Sequence, residues 1–280
     1  MSEQDKNTIP SDDYEREVAT DLDDTIVRSD ETITDRTVAA LDRVRAAGAE
    51  IVIVTGRPPR WLPYVADRIG HRGLAICSNG ALVYDLALEE VVETYPIEAS
   101  TVLALVEQLR AGIPGASFAV EDHEGMRHEA AFPLHWDAGQ AAVRAVEAAG
   151  LVGSPAAKLL LRDASGDPDA LLVRANDIVG RLAELTHSSS TAMIEISAAG
   201  VTKASTLAAI CQRRSIDAAH VLAFGDMPND LPLLAWAGQA YAVANAHTSV
   251  LEAVEQHTAS VDDDGVAQVL ERLFPERLRP

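Results

Sequence analysis

Two unbroken apolar runs, Ile51-Val-Ile-Val54 and Val221-Leu-Ala-Phe224, each stop abruptly on a polar cluster. The first stops on Thr55-Gly56-Arg57 and the second on Gly225-Asp226. Runs of this kind suit strands covered on both faces, as in a parallel sheet packed between helices. A shorter run, Glu17-Val-Ala-Thr20, leads in the same way into Asp21-Leu-Asp23-Asp24-Thr25. Parallel strands present their carboxyl ends to one crevice, so clusters far apart in sequence can meet there.

The intervening segments supply the crossovers. From Thr34 to Ala47, Val38, Leu41 and Val44 recur at helical spacing and Gly48 provides a stop. Trp61 to Ile69 reads as a helix and Leu74 to Cys77 as a strand. Lys203 to Arg213 reads as the helix before Val221. Each group is a strand–helix–strand unit.

The segment from Pro96 to Ile196 has a different texture. Ser100 to Arg110 and Ala138 to Ala149 read as helices, and Ser117 to Val120, Lys158 to Leu161 and Met193 to Ile196 as strands. Turns fall at Gly112-Ile-Pro-Gly115 and Gly153-Ser-Pro155. The expected division is a core from 16–95 and 197–275, an α+β insertion at 96–196 and a disordered acidic tail at 1–15.

Charge narrows the partners. The formal net charge is −20. Nucleic acid and anionic membranes need a basic face, so neither is expected. A phosphorylated metabolite is compatible, because a local cation and a lysine reverse the sign inside a cleft. Cys77 and Cys211 have no metal-type neighbours in sequence and read as buried thiols. With no signal-like apolar start and no membrane-length run, a cytoplasmic monomer or homodimer is expected.

Carboxylates, a hydroxyl and an ammonium at one crevice suit the joint binding of Mg²⁺ and a phosphate. Phosphate monoesters resist hydrolysis because their charge repels nucleophiles, so a catalyst must neutralise charge and align attack. Asp21, first out of its strand, is the candidate nucleophile, and Asp23 the acid/base. Two residues apart on a continuing strand, they would share a face. Mg²⁺ favours hard oxygen ligands; Asp21, Asp226 and the Asp23 carbonyl offer them. Asn229 and Asp230 would orient metal-bound water or reach the phosphate. Thr55 and the Gly56 amide would donate to phosphoryl oxygens. Lys203 stands at a helix start, a poor place for a cation, which points to a purpose beyond folding.

The full set of motifs resembles the haloacid dehalogenase superfamily phosphatases, in particular the Cof-like subfamily IIB. The matching stretches are Ala19-Thr-Asp-Leu-Asp-Asp-Thr25, Val54-Thr-Gly-Arg-Pro58, Ser78-Asn-Gly-Ala81, Gly200-Val-Thr-Lys-Ala204, Gly225-Asp-Met-Pro-Asn-Asp-Leu231, Ala242-Val-Ala-Asn-Ala246 and Asp264-Gly-Val266. The resemblance implies a Rossmann-like three-layer α/β core with a parallel sheet and an inserted C2-type cap. It implies a nucleophile at Asp21, an acid/base at Asp23, and Mg²⁺ held by Asp21, Asp23 and Asp226. Phosphate or substrate contacts are implied at Leu22, Thr55, Gly56, Arg57, Asn79, Lys203 and Asn229, with Asp230 behind them. Asp24 stands where the family usually has glycine. The implied reaction is hydrolysis of a small phosphorylated metabolite, a sugar phosphate being favoured. Two alternatives share the fold: a phosphosugar mutase, for which no second sugar-positioning cluster stands out, and a catalytically silent regulator.

In the insertion, Glu121, His123, Glu124, Arg127, His128 and His135 form a polar patch that reads as an exposed hairpin. His128 or Arg127 is the candidate for touching a sugar or phosphate. Trp136 reads as a packing residue and Ser188-Ser-Ser190 as a loop or hinge.

Overall fold

A computed structural model describes residues 17–134, 143–146, 148–151, 154–163, 166–188 and 191–276. The acidic tail, His135, Trp136, Ser189 and Ser190 lie outside the described residues.

In chain order the strands and helices are β1 Glu17–Thr20, α1 Asp35–Ala46, β2 Glu50–Val54, α2 Pro63–Ile69, β3 Leu74–Cys77, β4 Leu82–Asp85, β5 Glu90–Thr94 and α3 Ala99–Gly112. Then come β6 Ser117–Glu121, β7 Met126–His128, β8 Val143–Ala145, α4 Ala148–Leu151, β9 Lys158–Arg162, α5 Pro168–Val179, β10 Ala183–Thr186 and β11 Met193–Ala198. The chain closes with α6 Lys203–Arg213, β12 Val221–Gly225, α7 Leu231–Trp236, β13 Gln239–Val243, α8 Thr248–Ala253, β14 Gln256–Thr258 and α9 Gly265–Leu273.

Eight strands form one sheet in the order β14-β13-β12-β1-β2-β3-β4-β5. From β14 to β3 every pair is parallel. The apolar runs that announced these strands are buried along their length: Val52, Val54, Ala223 and Phe224 have no exposed surface. Burying a side chain of this size stabilises by roughly 1.5–3 kcal/mol. β1 lies between β12 and β2, so the chain leaves it in both directions across the sheet. Such a reversal opens a crevice at the carboxyl ends of the strands.

Two antiparallel strands, β4 and β5, extend this sheet beyond the expected parallel set. The turn into them runs through left-handed Ser78 (φ 49°) and Asn79 (φ 58°) to Gly80 (φ 112°). A Cβ on Gly80 would lie 2.4 Å from the Thr202 carbonyl oxygen, so only glycine fits.

The second sheet has the order β10-β11-β9-β6-β7-β8 and is antiparallel except for β7–β8. Strand side chains alternate between faces. One face carries Phe118, Val120, Leu159, Leu161, Ile194 and Ile196, packed with Leu105 and Leu109 of α3 and Leu171 of α5. The opposite face carries Ala119 and Leu160, and with them the charged Glu121, Lys158 and Glu195.

The helix expected over Ala138 to Ala149 is not formed at Val143–Ala145, which pairs in parallel with Met126–His128 instead. Alanine-rich spacing favours a helix locally, but pairing with a distant strand overrides a weak propensity. β6 and β7 do form the expected hairpin, with His123 and Glu124 exposed at its turn, but Glu121 and His128 are buried, because both strands lie inside the sheet. Arg127 hydrogen-bonds within this unit, to Ser154, the Gly150 carbonyl and Asp122. Among the described residues, no helix is long and apolar enough to cross a membrane. Cys77 and Cys211 are buried free thiols.

Candidate active site

Asp21 leaves β1 still held to the sheet, its N–H donating to the Phe224 carbonyl at 3.1 Å. That bond fixes the residue beside β12, whose own continuation supplies Asp226. Lys203 opens α6, where Thr202 and Ser205 form a reciprocal cap. The lysine side chain is fully buried, and its ammonium donates to Asp21 Oδ1 at 2.6 Å and Asp230 Oδ1 at 2.7 Å. Asp230 Oδ2 accepts from the N–H groups of Asp226 (3.0 Å) and Met227 (3.1 Å). Both oxygens of Asp230 are therefore engaged, and its carboxylate ties the β12 loop to the lysine. Gly225 permits this fold-back, since a Cβ there would meet the Asp230 side chain at 2.6 Å.

Asp21, Asp226 and Asp230 each bring a carboxylate oxygen within 4.8 Å of the others. Asp226 also accepts from the Thr25 hydroxyl at 3.2 Å. Burial pushes the Asp21 carboxyl up to about 8, with the charges of Asp230 and Asp23 adding and Lys203 opposing. Burial and the neighbouring charges of Asp21 and Asp230 likewise raise Asp226 well above the ordinary carboxylate range. Burial would lower Lys203, but the two carboxylates win and hold its ammonium above its usual value.

This donor set fits a hard divalent cation. Its atoms are oxygens, and carboxylates crowded enough to resist ionisation are relieved by a nearby positive charge. Asn229 adds a buried Oδ1 that has no hydrogen-bond partner, next to Asp230.

Asp23 does not share a direction with Asp21, contrary to the continuing-strand expectation. The strand ends at Thr20, and the Leu22 carbonyl accepts from the N–H groups of Thr25, Ile26 and Val27. Within this turn Asp24 is left-handed (φ 52°), which accounts for glycine being usual there in the resembled family. Asp23 consequently lies at the mouth, its side chain 53% exposed, in a two-pronged pair with Arg57. Its carboxylate stands outside the three-carboxylate group, leaving the carbonyl as its possible link to a metal.

Thr55 is buried and its hydroxyl accepts from the Arg57 N–H at 3.0 Å. Its carbonyl accepts from the Asn79 N–H at 3.1 Å. Asn79 in turn accepts from Asn229 at 3.1 Å, so the clusters holding Thr55, Asn79 and Asn229 are joined directly. Leu22 is wholly buried behind them.

The charged face of the second sheet meets these residues. Lys158 donates to the Gly56 carbonyl at 2.7 Å and pairs with Glu195 at 3.2 Å. Glu195 also accepts from Asn79 and from Ser188. Burial would raise the Glu195 carboxyl, but Lys158 and the hydrogen bonds hold it below its usual value. Glu121 accepts from Ser78 at 3.1 Å and pairs with Arg60 at 3.2 Å. No local motif marks such a role for Lys158, Glu195, Ser78 or Arg60. One signal was available: Glu195 is a lone charge on the otherwise apolar run Met193 to Ile196, and Lys158 opens another.

An open, largely parallel sheet with its acidic cluster at the switch point, and a second sheet inserted over it, define a Rossmann-like α/β core bearing a cap. A model of the haloacid dehalogenase-like hydrolase family matches residues 18–270, and the chain belongs to that family. It is a phosphoric monoester hydrolase by type. Similar proteins include the 5-amino-6-(5-phospho-D-ribitylamino)uracil phosphatase YitU of Bacillus subtilis, 24% identical over 92% of this chain and 97% of the relative. The phosphoglycolate phosphatase of Methanopyrus kandleri is 26% identical over 92% of this chain and 97% of its own length. In fold, the chain is similar to SMU.1108c of Streptococcus mutans (TM-score 0.83, 19% identity, 94% and 100% of the two chains). It is also similar to the subclass IIB sugar phosphatase BT4131 (TM-score 0.77, 20% identity, 92% and 98%).

Proposed function

We propose that the protein is a Mg²⁺-dependent phosphatase of small phosphorylated metabolites, of the sugar-phosphate class, working through an aspartyl-phosphate on Asp21. The carrying observation is the buried Lys203 ammonium set between Asp21 and Asp230 with Asp226 alongside. A catalyst for a dianionic ester needs such a site, charged but closely compensated.

An Asp21 oxygen attacks phosphorus and the bond from phosphorus to the ester oxygen breaks. Asp23 must leave its two-pronged pair with Arg57 to carry the proton that it gives to the departing oxygen. Asp23 then takes a proton from water, which attacks phosphorus and releases Asp21 as a carboxylate. Thr55, Gly56, Lys203 and Asn229 orient the phosphoryl oxygens. A bound Mg²⁺, held by Asp21, Asp226 and the Asp23 carbonyl, would neutralise charge between nucleophile and phosphate.

Residues 96–196 act in this reading as a cap over a core built from 16–95 and 197–275. Its polar face above Gly56 and Asn79 suits a hydroxylated substrate, and closure would exclude water. The named substrates of similar proteins, a phosphoribitylamino-uracil and phosphoglycolate, are small phosphorylated metabolites. A cytoplasmic setting fits such a substrate. The test is phosphate release from an aryl phosphate and from a panel of sugar phosphates. Asp21→Asn is expected to reduce it to background, and chelation of the metal to do the same. Turnover retained in Asp21→Asn would remove the assigned nucleophile.

A further inference from the structure

Away from the acidic cluster, three ligand-type side chains from three separate segments converge. Asp169 lies in the first turn of α5, His187 follows β10, and His247 lies between β13 and α8. Each offers one ligand atom within 4.8 Å of the others. We propose that they form a second cation site, for a late first-row divalent metal such as zinc, that fastens the cap to the core.

The spacing suits such an ion. His187 Nε2 lies 2.9 Å from Asp169 Oδ1, and His247 Nε2 lies 3.5 Å from Asp169 Oδ2. Ligands at zinc bond lengths on a tetrahedron stand about 3.3 Å apart, so little movement is needed to admit the metal. Two imidazoles and one carboxylate favour zinc, cobalt or nickel over magnesium, which prefers oxygen alone. A fourth position is left for water. Asp169 is 57% exposed on its side chain, which provides an entry path, whereas His187 is 1% exposed.

His187 is almost wholly buried, with its Nε2 turned to Asp169 and its Nδ1 without a hydrogen-bond partner. The rings of His187 and His247 meet edge to face at 5.7 Å between centroids. His247 is held in place at the start of α8: its Nδ1 accepts from the Ser249 N–H at 3.3 Å and lies 2.8 Å from the Ser249 hydroxyl, with Nε2 turned to Asp169. Asp169 in α5 and His187 just after β10 belong to the six-stranded unit, and His247, between β13 and α8, to the eight-stranded one. One ion at this point would bridge the two.

The experiment measures Zn²⁺ binding by competition with a chromophoric chelator, using the full chain in saturating Mg²⁺. The wild type is expected to hold one zinc that His187→Ala and His247→Ala lose. The fall should exceed the roughly 10–100-fold that loss of an outer partner brings. Co²⁺ should give a tetrahedral visible band in the wild type that both variants lack. Zinc should raise the melting temperature of the wild type but not of His247→Ala, whose partly exposed position makes it the safer variant for folding. Equal zinc affinity in the wild type and His247→Ala, or absence of the cobalt band from the wild type, would overturn the site. None of these readouts involves phosphate turnover, so the proposed phosphatase chemistry stands or falls separately.

Discussion

Lys203→Met is the most informative single perturbation of the acidic cluster. Methionine keeps most of the buried stem and removes the ammonium that touches Asp21 at 2.6 Å and Asp230 at 2.7 Å. Both carboxylates are buried, and Asp226 lies within the same group. Removing one partner of a buried pair typically costs about 3–5 kcal/mol, because the other charge is left without compensation. For a unit of this size that corresponds to a fall in melting temperature of about 6–20 °C. The pH dependence follows from the shifts. Lys203 is held above its ordinary value of 10.5, so the lysine's own charge is fully present below that value and is lost only as pH rises through the folded value. Asp21 in the metal-free chain is raised to about 8, so below that pH it can shed its charge by taking a proton. The loss in Lys203→Met is therefore largest near pH 8.5 and smaller near pH 6. Urea titration without metal, followed by tryptophan fluorescence, measures both. A variant as stable as the wild type at pH 8.5, or an equal loss at both pH values, would refute the compensation by Lys203.

Divalent-cation affinity should fall as pH drops below about 8, since Asp21 must lose its proton to serve as a ligand. Calorimetry between pH 6 and 9 should show at least about tenfold weaker binding per pH unit on the acid side, since Asp226 is raised as well, and a flat profile would exclude Asp21 from the site. Glu195→Ala leaves Lys158 buried without its carboxylate, at a cost of about 3–5 kcal/mol, and should speed amide exchange across β11 and Asn79. Because the Glu195 carboxyl is held low, this contribution is present above its unfolded value and disappears as pH falls through the folded one. Thermal melts at pH 7 and in acid should show the gap between variant and wild type closing.

The crevice itself was legible because its signals are local. A β-branched run needs two covered faces, and the residue types at its end turn the chain. That reasoning located β2, β3 and β12, the helix opened by Lys203, and the polar clusters that meet at Asp21. The hairpin of β4 and β5 was harder to read. β5 alternates between half-buried and exposed positions at the sheet edge, so it carries no continuous apolar run.

The amino-acid order alone determined which segments would be buried strands and which residue types would stand at their ends. Tertiary structure decided where those side chains point. It sent Asp23 outward to Arg57 while Asp21 turned to Lys203, because the turn held by the Leu22 carbonyl breaks the strand's alternation. It brought Glu195 to Asn79, 116 positions earlier in the chain, and His247 to Asp169. Strand register and packing between sheets set such meetings, and neither is encoded in a short window of sequence.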